Sequence, residues 1–417
     1  MTTRVALESE ETRLRTLVNG QLEARNENLS FGSTSYLRGD VNLVGSWRFL
    51  NFGAMTHLDN QEKPDRQPQN RFSVYTETSF LRLRYGDAYP VFPSLIASGK
   101  RVRGFTGGLA LGFFNLDVSL GQTVRRIEGT LDSTRALTQS EIDTRPKTSR
   151  LLQDSTYEFF STGTFTRDFV AVRPSFGSGE NFQLGFTWLK AKDDVGSIRY
   201  GYPAQENVVA GTDLLLAFDN QRFKWESQAS LSLQNTDITD GGFTDADYDS
   251  LEAQNPELGE QLKKIRPLAE KIITLNENLF PTNPVGTGLP GVSFESGLTL
   301  NYLNNYIQAS FFRRGAAYRS FGNDFLQTDI QGFYVSDRIR MFNNRVFLTV
   351  SYEKKSDNTA DTKEATTSFA NLSTSLTVTP LGYPTFTVGY GFNDRISDLD
   401  VARPLLPDSL KDLPSAE

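Results

Sequence analysis

Cysteine is absent from the 417 residues, and histidine occurs once, as His57. Disulfides and thiolate metal sites are thereby excluded, and any triad or dyad would hang on one imidazole with no nucleophile motif beside it. Long hydrophobic runs are also missing. Mean hydropathy is −0.40, and no uninterrupted apolar stretch approaches the ~18 residues of a membrane-crossing helix. Strands escape that exclusion, because only every second residue of a membrane-crossing strand faces lipid. Residues 1–11 contain no apolar leader and read as an N-terminal tail, either of a mature form or of a fragment. A basic excess is lacking as well. The 43 Lys and Arg are outnumbered by 50 Asp and Glu, and the formal charge of −7 argues against nucleic acid as a partner. No pattern calls for a cofactor or for catalysis.

Aromatic residues, in contrast, are plentiful, with 31 Phe and 15 Tyr. Many sit in alternating stretches. Gly297–Phe311 and Asp337–Tyr352 each consist of a long alternating strand, an Asn-Asn pair and a second alternating strand. Asn tolerates the positive φ of a two-residue type I′ turn. With Asn304-Asn305 as the turn, Tyr302 faces Ile307, Leu300 faces Ala309 and Leu298 faces Phe311 on an apolar face. Glu295 and Arg314 then meet on the polar one. Around Asn343-Asn344, Met341 pairs with Val346, Ile339 with Leu348 and Val335 with Tyr352, while Arg338, Arg340 and Arg345 share the opposite face. Asp337 alone falls on the apolar side, opposite Val350.

The same alternation runs through Thr12–Ala24, through Leu109–Leu120 around a Phe114-Asn115 turn and through Leu214–Trp225 around Asp219-Asn220. It continues in Leu372–Phe392 around Pro380–Pro384, and Phe72–Tyr85 reads as one strand. Tight turns alternate with long polar loops at 128–156, 191–207, 236–291, 314–325 and 355–364. The fold class expected is all-β: a transmembrane antiparallel β-barrel of about 16 to 18 strands over residues 12–394, with one helical loop insertion. Residues 395–417 read as a Pro-rich polar loop or a truncated end.

The insertion at 236–291 carries the helical pattern. Leu258, Leu262, Ile265, Leu268, Ile272 and Leu275 recur at helical spacing, interrupted by Pro267. Their stripe would serve a plug or lid at the barrel mouth, or merely pack the helix onto outer loops. Asp245, Asp247 and Asp249 have the alternate-carboxylate spacing of a calcium loop. Ser250 and Pro256 replace the glycine and the closing glutamate of a full EF-hand. The charged residues on polar faces are the candidates for lining a lumen: Asp213, Arg222, Lys224, Glu226, Glu295, Arg314, Arg338, Arg340 and Arg345.

With these strands and loops the chain resembles Gram-negative outer-membrane β-barrels of the porin type over essentially its whole length. Gly86-Asp-Ala-Tyr-Pro-Val-Phe-Pro-Ser-Leu-Ile-Ala-Ser-Gly-Lys-Arg-Val-Arg-Gly104 and Ser320-Phe-Gly-Asn-Asp-Phe-Leu-Gln-Thr-Asp329 look similar to segments of large outer-membrane barrels of Bacteroidota-type bacteria, the type 9 secretion translocon among them. The resemblance implies a bacterial outer-membrane location, with the lipid bilayer and lipopolysaccharide as partners. It implies a pore for small solutes or, alternatively, a plugged barrel that anchors or serves other subunits of a surface or secretion assembly. A soluble extracellular β-protein is the third reading.

Overall fold

The computed structural model describes residues 16–28, 35–138, 141, 148–151, 156–254 and 256–398. The N-terminal tail, residues 12–15 of the first alternating stretch and residues 399–417 fall outside them. The strands are β1 (Thr16–Asn28), β2 (Ser35–Trp47), β3 (Leu50–Asp59), β4 (Arg71–Glu77), β5 (Leu81–Ala88), β6 (Val102–Leu111), β7 (Phe114–Val124), β8 (Leu131–Ala136), β9 (Ser149–Leu151), β10 (Thr156–Phe160) and β11 (Arg167–Phe176). They continue as β12 (Phe182–Asp193), β13 (Glu206–Phe218), β14 (Phe223–Asn235), β15 (Leu279–Phe280), β16 (Val292–Tyr302), β17 (Asn305–Arg314), β18 (Ile330–Met341), β19 (Val346–Asp357), β20 (Thr367–Val378) and β21 (Phe386–Ser397). Eighteen of them belong to one sheet. Helices α1 (Asp245–Gln254) and α2 (Pro256–Ile272) form the expected insertion, with Pro267 inside α2. The all-β antiparallel expectation holds. No helix among the described residues is long and apolar enough to cross a membrane, which says nothing of strands.

The chain divides into two compact units: residues 1–215, 228–284 and 319–326, and residues 216–227, 285–318 and 327–417. In the first, β1 to β7 pair antiparallel in chain order, and β11 follows β7. Register assigns two faces. One carries Phe72, Val74, Leu83, Tyr85, Phe105, Leu109, Leu116, Leu120, Val170 and Val172; the other carries Tyr75, Glu77, Arg82, Arg84, Thr106, Asp117, Ser119 and Arg173. Period-two side-chain direction makes this separation automatic once the alternation is in the sequence. The connection between β7 and β11, where a long polar loop is expected at 128–156, holds a small sheet in which β10 is central to β8 and β9.

The second unit repeats the two-faced pattern through β16 to β21. Around Asn343-Asn344 the pairs Met341–Val346, Ile339–Leu348, Asp337–Val350 and Val335–Tyr352 are those expected. The first Asn hairpin differs. Its turn is Leu303-Asn304, both with positive φ (51° and 63°), and Asn305 pairs with Tyr302 as the first strand residue. Leu300 therefore meets Ile307 and Leu298 meets Ala309. The shift preserves every side chain's face, so polarity could not reveal it.

Two further turns are corrected. Leu111 pairs with Phe114, so that hairpin turns at Gly112-Phe113, where Gly112 has φ 76°. The stretch Phe72–Tyr85 is two strands, turned at Thr78–Phe80. There the Thr78 hydroxyl accepts the Leu81 N–H at 2.9 Å, and the Thr78 N–H donates to the Leu81 carbonyl at 2.7 Å. A hydroxyl substitutes for the Gly or Asn that usually marks such a turn.

Candidate functional site on the polar face of the first unit

Register places Arg82 of β5, Asp117 of β7 and Arg173 of β11 on one face, with Gly108 of β6 between the first two. Arg173 grips Asp213 of β13 through two hydrogen bonds, of 3.0 and 2.6 Å, and reaches Asp117 at 3.3 Å. Arg82 stands 3.6 Å from the other Asp117 oxygen. The forked guanidinium–carboxylate geometry makes the Arg173–Asp213 pair the firmest link. A strand intervenes between its partners, and any side chain there would push the pair aside. A Cβ at Gly185 would lie 2.4 Å from Asp213 Oδ1 and 2.8 Å from Arg173 Nε. Arg173 is nearly covered at 12 % side-chain exposure, whereas Arg82 is 67 % exposed. The row thus has a fixed end and a free end.

Above this row the connection between β5 and β6 folds across the polar face. Near the end of β5 stands Gly86, whose φ of +109° and close approach to the Phe72 carbonyl admit no side chain. The next residue closes the neck. Asp87 accepts two hydrogen bonds from Arg103, both 2.9 Å, and a third of 2.9 Å from the Phe72 N–H. Beyond the neck, Phe92, Leu95, Ile96 and Ala97 are buried. Ser94 accepts from Gln228 of β14 at 2.6 Å, the Leu95 N–H donates to the Gln228 side-chain carbonyl at 3.3 Å, and Ile96 lies against Gly211 of β13. Residues 88–101 form a strap reaching from β5 to β13 and β14.

A second segment, 319–326, locks the strap tip. Ala97 and Gly322 form a parallel bridge, with Ser98 N–H donating to the Gly322 carbonyl at 3.0 Å. The Asn323 amide donates to the Ser94 carbonyl at 2.6 Å, the Ser320 hydroxyl donates to the Ile96 carbonyl, and Lys100 pairs with Asp324 at 2.5 Å. Asn207 of β13 anchors this segment from below, accepting from the Phe321 N–H at 3.0 Å, and the Arg167 guanidinium lies 3.9 Å over the Phe321 ring. The two stretches that resemble parts of the same large barrels, far apart in sequence, therefore meet in space.

Between strap and wall lies a cavity of about 240 Å³, lined by Tyr75, Glu77, Arg82, Arg84 and Asp117 from the wall and by Tyr89 and Phe92 from the strap. Arg84 stacks over Tyr75 at 5.2 Å.

Of the charged residues expected to line a lumen, Asp213 joins the row above. The others lie in the second unit. Glu295 and Arg314 pair at 2.6 Å, and Lys224 and Glu226 at 2.9 Å. Trp225 and Ser227 both bond Ser296 at 2.8 Å, which assigns Lys224 and Glu226 to the face opposite Ser296. Arg222 sits in the turn, 3.8 Å from Asp219. Arg338 and Arg340 share the polar face of β18, where they pair across to Thr349 and Phe347, and Arg345 lies in the turn. In the helical insertion, Ile272 and Leu275 pack with Ile273 against Val208, joined by Trp188 and Leu233, while Leu268 is exposed. The side chains of Leu258, Leu262 and Ile265 lie outside the described residues.

Asp245, Asp247 and Asp249 do not converge as a calcium loop would require. They fall in the first turns of α1, where residues two apart point to opposite sides. Asp245 pairs with Arg266 at 2.6 Å and Asp249 with Lys263 at 2.8 Å. Asp247 caps the helix, and the hydroxyl and N–H of Thr244, each 2.7 Å away, hold its carboxyl below the usual range. Among the described residues no group of three or more His, Cys, Asp or Glu could hold a metal ion. His57 pairs with Asp40 at 2.6 Å. The sequence reading missed Arg82, Asp117, Arg173 and the strap. The polar-face phase could have identified the first three, since each alternates with apolar neighbours.

No known protein-family signature matches the chain, and no curated protein matches it by sequence. Among solved structures, it is similar to Pseudomonas aeruginosa OpdQ, with a TM-score of 0.40 at 10% identity over 92% of this chain and 95% of that one. It is also similar to P. aeruginosa OccK2 (OpdF) in complex with glucuronate, with a TM-score of 0.39 at 10% identity over 92% of each chain. For a BenF-like porin from Pseudomonas fluorescens Pf-5 the TM-score is 0.38 at 9% identity, over 91% of this chain and 92% of that one. All three scores lie below the level at which an overlay defines a shared fold.

Proposed function

We propose that this chain is a bacterial outer-membrane β-barrel that passes small solutes along its polar face, with the strap of residues 88–101 as the constriction. One observation carries the reading. In both units the strands direct large apolar side chains outward with nothing over them: Val74, Tyr85, Leu120 and Phe176 in the first, Phe311, Val335, Tyr352 and Val388 in the second. Soluble monomers rarely expose a contiguous apolar patch above a few hundred Å². Lipid is the solvent for which such a face is built, and period-two strands satisfy their backbone there without long apolar runs. The opposite faces, charged and hydroxylated, suit water. Lipid and lipopolysaccharide are then the immediate partners, and the work is that of a channel rather than of an enzyme.

Planar-bilayer recording on the purified protein tests this. Ohmic single-channel steps are expected, together with heat-modifiable migration on gels. A protein that inserts yet conducts nothing would sink the pore reading. The strap's burial supports a second reading, a plugged barrel serving as anchor or translocon for other subunits. In that case conductance appears only once the strap is removed.

A further inference from the structure

We infer that the cavity between the strap and the β4–β7 wall binds a neutral α-amino acid with an apolar side chain. The inference rests on the pore reading for its biological sense but on the cavity's own charges for its chemistry. Glu77 and Arg82 are directly opposed across β4 and β5, as are Tyr75 and Arg84. Opposed side chains start about 5 Å apart, so Glu77 and Arg82 would ordinarily pair. Here Arg82 leans the other way, toward Asp117. Asp117 is already held by Arg173, which is in turn held by Asp213. Among the described residues Glu77 and Arg84 have no ion-pair partner.

The cavity therefore presents two guanidiniums and one carboxylate whose hydrogen-bonding capacity is unspent, side by side on one face. A simple anion would meet Glu77, and a simple cation would meet Arg82 and Arg84. A zwitterion satisfies both signs: its carboxylate on the Arg82 and Arg84 forks, its ammonium on Glu77. The roof supplies the third contact. Tyr89, Pro90 and Phe92 of the strap line the cavity with apolar surface opposite the charged floor, with Phe92 buried and Tyr89 half exposed. An apolar side chain projecting away from the charged end fits there, and polar groups at one end with an apolar lining at the other are the usual make-up of a small-molecule site.

Three probes that share a benzyl group separate the terms: phenylalanine, 3-phenylpropionate, which lacks the ammonium, and phenethylamine, which lacks the carboxylate. Titration calorimetry on the full chain in detergent at neutral pH is expected to show phenylalanine binding roughly tenfold tighter than either analogue, the order one charge-assisted contact contributes. Glu77→Gln should reduce phenylalanine to the level of 3-phenylpropionate, and Arg84→Gln should weaken phenylalanine and 3-phenylpropionate but not phenethylamine. Either analogue matching phenylalanine on the unaltered protein would overturn the assignment, as would an undiminished preference in Glu77→Gln. Binding in detergent needs no conduction. A silent bilayer with intact binding would remove the pore and leave the site, and the converse would do the reverse.

Discussion

In the first unit, the polar face of the wall supports a packed layer. Leu95, Ile96 and Ala97 of the strap are at most 1 % exposed, and beneath them Leu189, Asn207 and Val209 are equally covered. In the second unit, the buried residues Ser293, Tyr318 and Ile330 sit at or beyond strand ends, and among the described residues the mid-strand polar face carries no such layer. Arg338 and Tyr306, opposite each other on its polar face, both stand exposed. The walls are chemically alike, and what differs is whether a connection folds over them. The strap needs a neck that closes, supplied by Gly86, Asp87 and Arg103, and apolar residues at its tip that are worth burying. The connection from β19 to β20 closes its neck, with Asp357 accepting from the Thr367 N–H at 2.7 Å, but its tip has no large apolar residue to bury. Its Asn358 side chain accepts from the Thr362 and Lys363 N–H groups, both at 2.9 Å. Polar contacts hold it to its neighbours, Thr359 N–H donating to Asp329 at 2.8 Å and Arg313 to the Thr359 carbonyl at 2.9 Å.

That contrast can be broken. The largest effect is expected from excising residues 89–100 and joining the neck with a short glycine linker. Single-channel conductance should rise severalfold, whereas shortening the second unit's loop at 360–365 should leave it nearly unchanged. Equal responses from the two loops would show that the strap is not the limiting element. A smaller effect follows from Ile96→Ala, which empties a fully buried site and should cost about 2–4 kcal/mol in denaturant unfolding. Arg338→Ala, exposed on the matching face of the second unit, should stay within about 0.5 kcal/mol. The smallest change sharpens the comparison of outer faces. Asp337 lies on the apolar side of β18, opposite Val350 and Ile307, with a buried Oδ1 that has no hydrogen-bond partner. Asp337→Val should stabilise the folded protein by about 1 kcal/mol in lipid vesicles, and a loss of stability there would mean that the carboxylate has a role on that surface.

The faces were legible in the sequence because side-chain direction has a period of two, and Leu298, Leu300, Ile339 and Leu348 announce their side without knowledge of register. Register itself was legible around Asn343-Asn344, but an Asn-Asn pair alone did not guarantee it. At Leu303-Asn304 a leucine took positive φ, and a slip that keeps every residue on its face leaves no trace in polarity. The Thr78–Phe80 turn was hidden because a hydroxyl does locally what Gly or Asn would have signalled. The strap was hidden for a different reason. Pro90-Val-Phe-Pro-Ser-Leu-Ile-Ala97 is plainly apolar, yet its partners Gly211, Gln228 and Gly322 lie more than a hundred residues away. No local period connects them. The carboxylates of α1 misled because spacing implies convergence only once the backbone conformation is known.

The clasp of Asp87 by Arg103 has one more implication. With its two ends pinned side by side, the strap is a flap on a locked hinge, and its length is decoupled from the cost of closing it. Lengthening a loop whose ends are already joined adds only a few tenths of a kcal/mol for each modest insertion. The ceiling of the cavity is thus a mechanical part that can be resized between Val91 and Ser94 without disturbing the wall. The force needed to lift it is borne largely at the tip, by the buried Leu95 and Ile96 and the bonds of Ser94, Ser98 and Lys100.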